Sequence, residues 1–146
     1  MTDAETDPAV KLQHFATRLI RLARASHKEH SISSAQYSVM ALLSNQPGMS
    51  VVELARRESV AHPTMSRLVA GLIKVALVRR TANPADGRSH LLRLTSAGEQ
   101  TYRDIADRRT LLFRMLLSQL SASTVAEIVT VADRMMDPLE TVFKSE

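Results

Sequence analysis

The side chains in this sequence best placed to do chemistry are cations and hydroxyls set on a helical pattern. Thr64, Ser66, Arg67 and Lys74 are the polar members of a segment whose apolar members, Met65, Leu68, Val69, Leu72 and Ile73, recur at helical spacing. A guanidinium on the outer face of such a helix can donate two hydrogen bonds to O6 and N7 of one guanine, worth roughly 1–3 kcal/mol of base discrimination. Thr64 and Ser66 stand near the helix start, where a hydroxyl and the positive field of the N-terminus together suit phosphates or base edges. Lys74 suits a phosphate. His62, just ahead of them, fits a phosphate contact and a helix cap equally well. Ser50, at the start of the preceding helix, is counted with the same group. The competing reading of Arg67 is an ion pair with Glu53 or Glu58.

Other chemistry has less to rest on. His27, Glu29 and His30 fall within one helical turn, a plausible ligand spacing, but the sequence offers no clear third and fourth ligand. Cation-leaning residues also simply suit a helix C-terminus. His14 and His90 read as surface or pocket residues. Cysteine is absent, which excludes disulfides, thiolate zinc sites and a thiol redox switch. There is no nucleophile elbow, phosphate loop or His-Glu-x-x-His motif, so the chain does not read as an enzyme and no cofactor is expected. The seven methionines read as core filler and not as oxidant sensors.

The elements that must hold these residues follow from periodicity and caps. Leu12, Phe15, Ala16, Leu19, Leu22 and Ala23 mark a first helix over residues 9–28. Ser33 and Gln36 form a capping box for a second helix, which Asn45-Gln46-Pro47-Gly48 ends. Ser50 and Glu53 form another, opening a short helix that breaks at Glu58-Ser59-Val60-Ala61. The next helix starts near His62-Pro63, and two helices joined by so short a turn make a helix-turn-helix. Residues 77–82 and 90–95 read as strands, with the turn formers Asn83-Pro84-Ala85-Asp86-Gly87-Arg88 between them, so a basic-tipped hairpin follows directly. Ser96 to Glu99 reads as a third capping box, for a long helix to about residue 119. A last helix carries Val125, Ile128, Val129, Ala132, Met135, Met136, Leu139 and Val142, with a kink or early end expected at Pro138.

Composition agrees with this order. Apolar residues are 45% of the 146 and aromatics only 3%, which favours packed helices over a β-sandwich. The polar, acidic start lacks the features of a signal peptide, no run of about 18 apolar residues exists, and a cytoplasmic protein with no membrane partner is expected. The charge is uneven. Residues 50–95 carry eight Lys/Arg against three acids, residues 96–146 six against eight, and residues 1–49 five against four. Positive charge concentrated in the middle third fits a segment that faces phosphates, and fits a merely basic surface as well.

The fold expected is mainly α with a small β-wing. A winged helix-turn-helix domain at 33–95 is flanked by an N-terminal dimerisation helix within 1–32 and C-terminal dimerisation helices within 96–146. The flanking helices are too apolar to stand alone, so Val10, Leu12, Leu116, Leu120, Val125, Ile128, Val129, Met136 and Leu139 are assigned to a two-fold interface with a second copy. The alternative is that these helices fold back on their own winged domain.

At this point the sequence resembles the MarR family of bacterial and archaeal regulators. Asp86-Gly87-Arg88 matches the family's wing tip, and Leu92-Arg93-Leu94-Thr95-Ser96-Ala97-Gly98 its closing strand and turn. Pro63 to Val69, then Leu72-Ile73-Lys74, then Leu77-Val78-Arg79-Arg80 resemble its recognition segment. The resemblance implies a homodimeric regulator of transcription, by default a repressor, on a near-palindromic operator in double-stranded DNA. It implies that Arg88 enters the minor groove, with Asp86 positioning the guanidinium or bracing the hairpin. It also implies release by a small anionic or aromatic effector, for which Phe15, Arg18, Tyr37 and Met40 are the candidate pocket residues. The chain departs from the family at Ala70-Gly71, where relatives often carry polar residues. That pair leaves open a ligand-independent architectural regulator, or a protein-interaction module with weak DNA binding.

Overall fold

The computed structural model describes residues 7–27 and 29–145, with side chains as far as Val142. The acidic residues 1–6 and Lys28 of the expected first helix lie outside the described residues. The helices are α1 (Pro8–Arg24), α2 (Ser34–Asn45), α3 (Val51–Arg57), α4 (His62–Lys74), α5 (Ser96–Leu117) and α6 (Ala122–Ser145). A 3-10 turn, Ala25–His27, follows α1, and the strands β1 (Val78–Ala82) and β2 (His90–Leu94) lie between α4 and α5. The chain forms two compact units, one up to Arg109 and one from Thr110 onward.

Local chemistry sets most of the boundaries. Asp7 caps α1 by accepting a hydrogen bond from Ala9 N–H at 2.8 Å. Both expected capping boxes form: Ser33 and Gln36 bond reciprocally at the start of α2, as do Ser50 and Glu53 at the start of α3. The third differs from expectation. Thr95, not Ser96, caps α5: its hydroxyl accepts from Gly98 N–H at 3.0 Å and donates to the Ala76 carbonyl at 2.7 Å. Glu99 pairs instead with Arg103 one turn on. Nor does Pro138 end α6, which continues through it to Ser145.

In the first unit the core lies between α2, α3, α4, the hairpin and the first half of α5. Val39, Met40, Leu43, Leu54, Met65, Val69, Leu72, Leu92 and Ile105 are all fully buried in it. On α4 the buried residues Met65, Val69 and Leu72 follow a four-then-three spacing, which turns one stripe of the helix inward. Ala76 ends α4 in a left-handed conformation, φ +58°, and Leu77 N–H closes back on the Leu72 carbonyl at 2.9 Å. The chain is thereby turned straight into β1. β1 and β2 pair antiparallel with Val78 opposite Leu94 and Ala82 opposite His90.

The hairpin has a third member that the sequence did not announce. Gly48 N–H donates to the Leu92 carbonyl at 2.9 Å, and Leu92 N–H to the Met49 carbonyl at 2.8 Å. Gly48 adopts φ +91°, a conformation that costs glycine nothing and strains other residues. The loop after α2 thus ties the wing to the helical core.

The second unit comprises the end of α5 and α6. Among the residues of α6 with described side chains none is buried, and Ile128, Val129, Val131, Met136, Leu139 and Val142 are exposed. In the first unit α1 likewise buries nothing and exposes Leu12, Phe15 and Ile20.

One close approach fixes how α5 leaves the hairpin. A side chain added at Gly98 would overlap the backbone carbonyl of Leu77. Gly98→Ala therefore has to displace backbone and is expected to lower stability by about 1–3 kcal/mol. Urea unfolding of the two proteins checks this, and an unchanged midpoint would show that the approach is not tight.

Candidate nucleic-acid interface

Burying Met65, Val69 and Leu72 turns Thr64, Arg67, Ala70 and Lys74 outward, and all four are exposed. They lie at spacings of three, three and four, a single outward stripe. Ser66 is half-buried beside it. Arg67 has no ion pair with Glu53 or Glu58 among the described residues. Glu53 is engaged elsewhere: it accepts from both the Ser50 N–H (2.7 Å) and the Ser50 hydroxyl (2.9 Å), and these bonds hold its carboxyl below the usual carboxylate range. Ser50 is thus committed to capping α3. His62 is exposed in the first turn of α4 and does not cap it; Ala61 is the cap residue, and no side chain bonds the first N–H groups.

The wing tip is braced by its own side chains. Asn83 accepts from Ala85 N–H at 3.0 Å and donates to the Ser89 hydroxyl at 2.7 Å. Asp86 accepts from Arg88 N–H at 3.0 Å. The carboxylate therefore shapes the turn, and the Arg88 side chain is exposed at its end. Gly87 beside it has open space where a side chain would go.

Sequence reasoning placed Arg79, Arg80 and Arg93 in the strands but gave them no contact, and the structure fixes their register. Arg79 and Arg93 face each other directly across the two strands. Like charges so placed repel, and a nearby anion relieves the repulsion. Arg93 also packs its guanidinium by Gly48, within 3.3 Å of where a side chain there would begin. Arg57 donates to Gln46 Oε1 at 2.7 Å and so links the ends of α3 and α2.

Gly71 has a packing reason. A Cβ at this position would stand 2.8 Å from Nε2 of Gln36 on α2. The glycine leaves room for the Gln36 side chain between α2 and α4, at a cost of about 1 kcal/mol in helix propensity.

The four candidate pocket residues have different surroundings. Phe15 and Arg18 are exposed on α1, where Arg18 lines an open groove of about 480 Å³ with His14, Thr17 and Arg21. Met40 is fully buried in the core. Tyr37 is buried against His27, stacked on Tyr102 and lies under the Arg109 guanidinium, 4.1 Å from its ring centroid. His27 directs Nε2 at Arg109, so that nitrogen faces a cation. No group of three His, Asp or Glu side chains suited to a metal occurs among the described residues. Of the residues assigned to the two-fold interface, Leu12, Leu116, Leu120, Ile128, Val129, Met136 and Leu139 are exposed, and Val10 and Val125 half-buried.

Comparison with known proteins agrees with this geometry. Residues 32–90 match the sequence profile of the MarR family. An uncharacterized HTH-type transcriptional regulator of Mycobacterium leprae is 32% identical over 100 residues, 68% of this chain and 70% of that protein. The crystal structure of wild-type MarR from Escherichia coli superposes with a TM-score of 0.79 at 24% identity, over 89% of this chain and 98% of that one. The PcaV transcriptional regulator of Streptomyces coelicolor, solved in complex with its natural ligand, superposes with a TM-score of 0.66 at 26% identity, over 94% of this chain and 96% of that one.

Arg67 and Arg88 are expected to differ in what they do. Arg88→Ala should weaken binding to all duplexes alike and lower the salt slope by about one unit, whereas Arg67→Ala should also relax preference at one base position. Binding isotherms on specific and random duplexes at several salt concentrations distinguish them. Equal losses on both duplexes for both variants would contradict this assignment.

Proposed function

Since this chain belongs to the MarR family, we propose that it acts as a homodimeric repressor that holds a near-palindromic operator and lets go when a small molecule binds. It is a transcriptional regulator with a DNA-binding winged helix, and not an enzyme. The observation that carries the proposal is the pairing of two kinds of surface. α4 and the wing present Thr64, Arg67, Lys74 and Arg88 outward, while α1, α5 and α6 leave apolar side chains uncovered. The first surface suits a duplex. The second suits a copy of the same chain, because apolar faces of this kind gain free energy by association.

In this reading the division of labour is the one the sequence suggested. Residues 33–95 read DNA, and residues 1–32 and 96–146 hold the partner. His62 and Ser66 add backbone contacts, and Ser50 acts through the cap of α3. The repulsion between Arg79 and Arg93 is relieved by phosphates along the wing. No helix among the described residues is long and apolar enough to cross a membrane, and the place of action is the cytoplasm, with the DNA.

Support for an effector comes from α1. Lys11, His14, Arg18, Arg21 and Arg24 are basic or cation-leaning, and no acid occurs between Pro8 and Arg24. An anion with an apolar body suits the groove of His14, Thr17, Arg18 and Arg21, with Phe15 exposed on the same helix. PcaV, similar to this chain, has been solved with its own natural ligand. The rival reading, a protein-interaction module, drew on Ala70-Gly71. The seat of Gly71 on Gln36 gives that glycine another reason.

Sedimentation of the protein alone and with an operator duplex tests the dimer. The wild type is expected to sediment as a dimer and to bind one dimer per inverted repeat. Ile128→Asp combined with Met136→Asp should give a monomer that binds at least about a hundredfold more weakly, because each half-site is then held alone. A wild-type monomer with full affinity would overturn the proposal.

A further inference from the structure

Away from the nucleic-acid face, four polar side chains meet inside the first unit. His27, at the end of the 3-10 turn after α1, is buried, and its Nε2 lies 2.8 Å from Nη2 of Arg109 on α5. The edge of its ring meets Tyr37 on α2, with centroids 5.1 Å apart and planes at 89°. Tyr102 on α5 stacks on Tyr37, with ring centroids 5.4 Å apart. Two buried nitrogens, Nδ1 of His27 and Nε of Arg109, have no hydrogen-bond partner. Residues 82 positions apart in sequence thus meet through one hydrogen bond.

We propose that the His27–Arg109 contact is a proton-operated latch: it is closed while His27 is neutral, and protonation of His27 opens it and weakens DNA binding. A guanidinium has five donors, no acceptor and a permanent charge. The Nε2 of His27 must therefore be the acceptor, and in the neutral ring the proton sits on Nδ1. Once both nitrogens carry protons, an N–H of His27 is aimed at an N–H of Arg109, and two cations stand 2.8 Å apart in a buried site. The groups around His27 give no relief. Arg109 faces it from α5, the Tyr37 ring from α2 and His30 from the loop beyond. The nearby acid, Glu29, is exposed and ion-paired with Arg108. Neither described ion pair brings a carboxylate to His27 or Arg109.

Burial, then the charges of Arg109 and His30, lower the affinity of His27 for a proton from its usual value near 6.5. The latch is therefore closed at neutral pH. The unfolded chain takes up the proton first as pH falls, so the stability that the neutral ring contributes is complete above about pH 6.5 and is lost below it. The path to the recognition helix is short. Arg109 also rests on the ring of Tyr37, and the neighbouring residue, Gln36, is the one that abuts Gly71 on α4. Opening the latch removes the cation from Tyr37 and loosens the seat of α2, on which α4 depends. By linkage, bound DNA must lower the proton affinity of His27 by the same factor.

The inference rests on the DNA-binding reading, so its test has one arm without DNA. In the full chain labelled with nitrogen-15 histidine, His27 at about pH 8 is expected as the Nδ1–H tautomer, the less common one in water, with a midpoint below the ordinary histidine value. Arg109→Gln should raise that midpoint. An Nε2–H tautomer, or an ordinary midpoint unmoved by Arg109→Gln, would overturn the latch whatever the DNA result. In the second arm, wild type and His27→Gln are compared on one duplex between about pH 8 and pH 5.5. Glutamine keeps an acceptor for Arg109 but does not titrate. His14, His30, His62 and His90 remain in both proteins, so their contributions cancel in the comparison. The wild type is expected to lose about tenfold more affinity than His27→Gln over this range, the equivalent of one pKa unit of coupling. Parallel losses would show that the latch does not reach the DNA face. Should His27→Gln not fold, the tautomer and midpoint of the wild type still decide whether the latch exists.

Discussion

The seat of α4 is the constraint on which the other features depend. Met65, Val69 and Leu72 are fully buried, and truncating Met65 or Leu72 to alanine costs on the order of 2–5 kcal/mol. Because those three positions must face inward, Thr64, Arg67, Ala70 and Lys74 have no choice but to face outward. Gly71 on the same helix leaves room for the Gln36 side chain, and the left-handed Ala76 returns the chain to the hairpin. The direction in which Arg67 points is thus a consequence of apolar packing several ångströms away. Base reading in such a protein is bought with core residues that never touch DNA.

Arg88 has a second, independent source of position. It depends on the hairpin, and the hairpin depends on Leu92, which is fully buried and exchanges backbone hydrogen bonds with the Gly48–Met49 segment. Asn83 and Asp86 then fix the turn through backbone N–H groups. α4 and the wing thus share one core, through Met65, Val69 and Leu72 on the helix and Leu92 on the hairpin. α1 and α6 have no such core of their own. Neither buries a described side chain, and the free energy left in their apolar residues is the physical argument for a second copy.

Much of this was legible in the sequence, and the parts that were not share a cause. The capping boxes at Ser33 and Ser50 are local, three residues long, and both form. The buried stripe of α4 and the two strands were likewise visible, because periodicity and turn residues report on near neighbours. Thr95 and Ser96 are equally good caps by sequence. The choice falls to Thr95 because its hydroxyl also reaches the Ala76 carbonyl, 19 positions back. The bridge from Met49 to Leu92 and the meeting of His27 with Arg109 are longer-range still. Pro138 is different: α6 runs on past it to Ser145. At the site, Arg67 and Arg88 were singled out by type and position. Arg79 and Arg93 were not, because their opposition exists only once the strands are in register.

In the proposed function, two copies of one basic surface read two copies of one sequence. Selection of bound duplexes from a random DNA pool, at a stated salt concentration, tests it most directly. Recovery of a single inverted repeat, its half-sites about one helical turn apart, is the result this account requires. Recovery of no motif, with only salt-sensitive binding to bulk DNA, would contradict it.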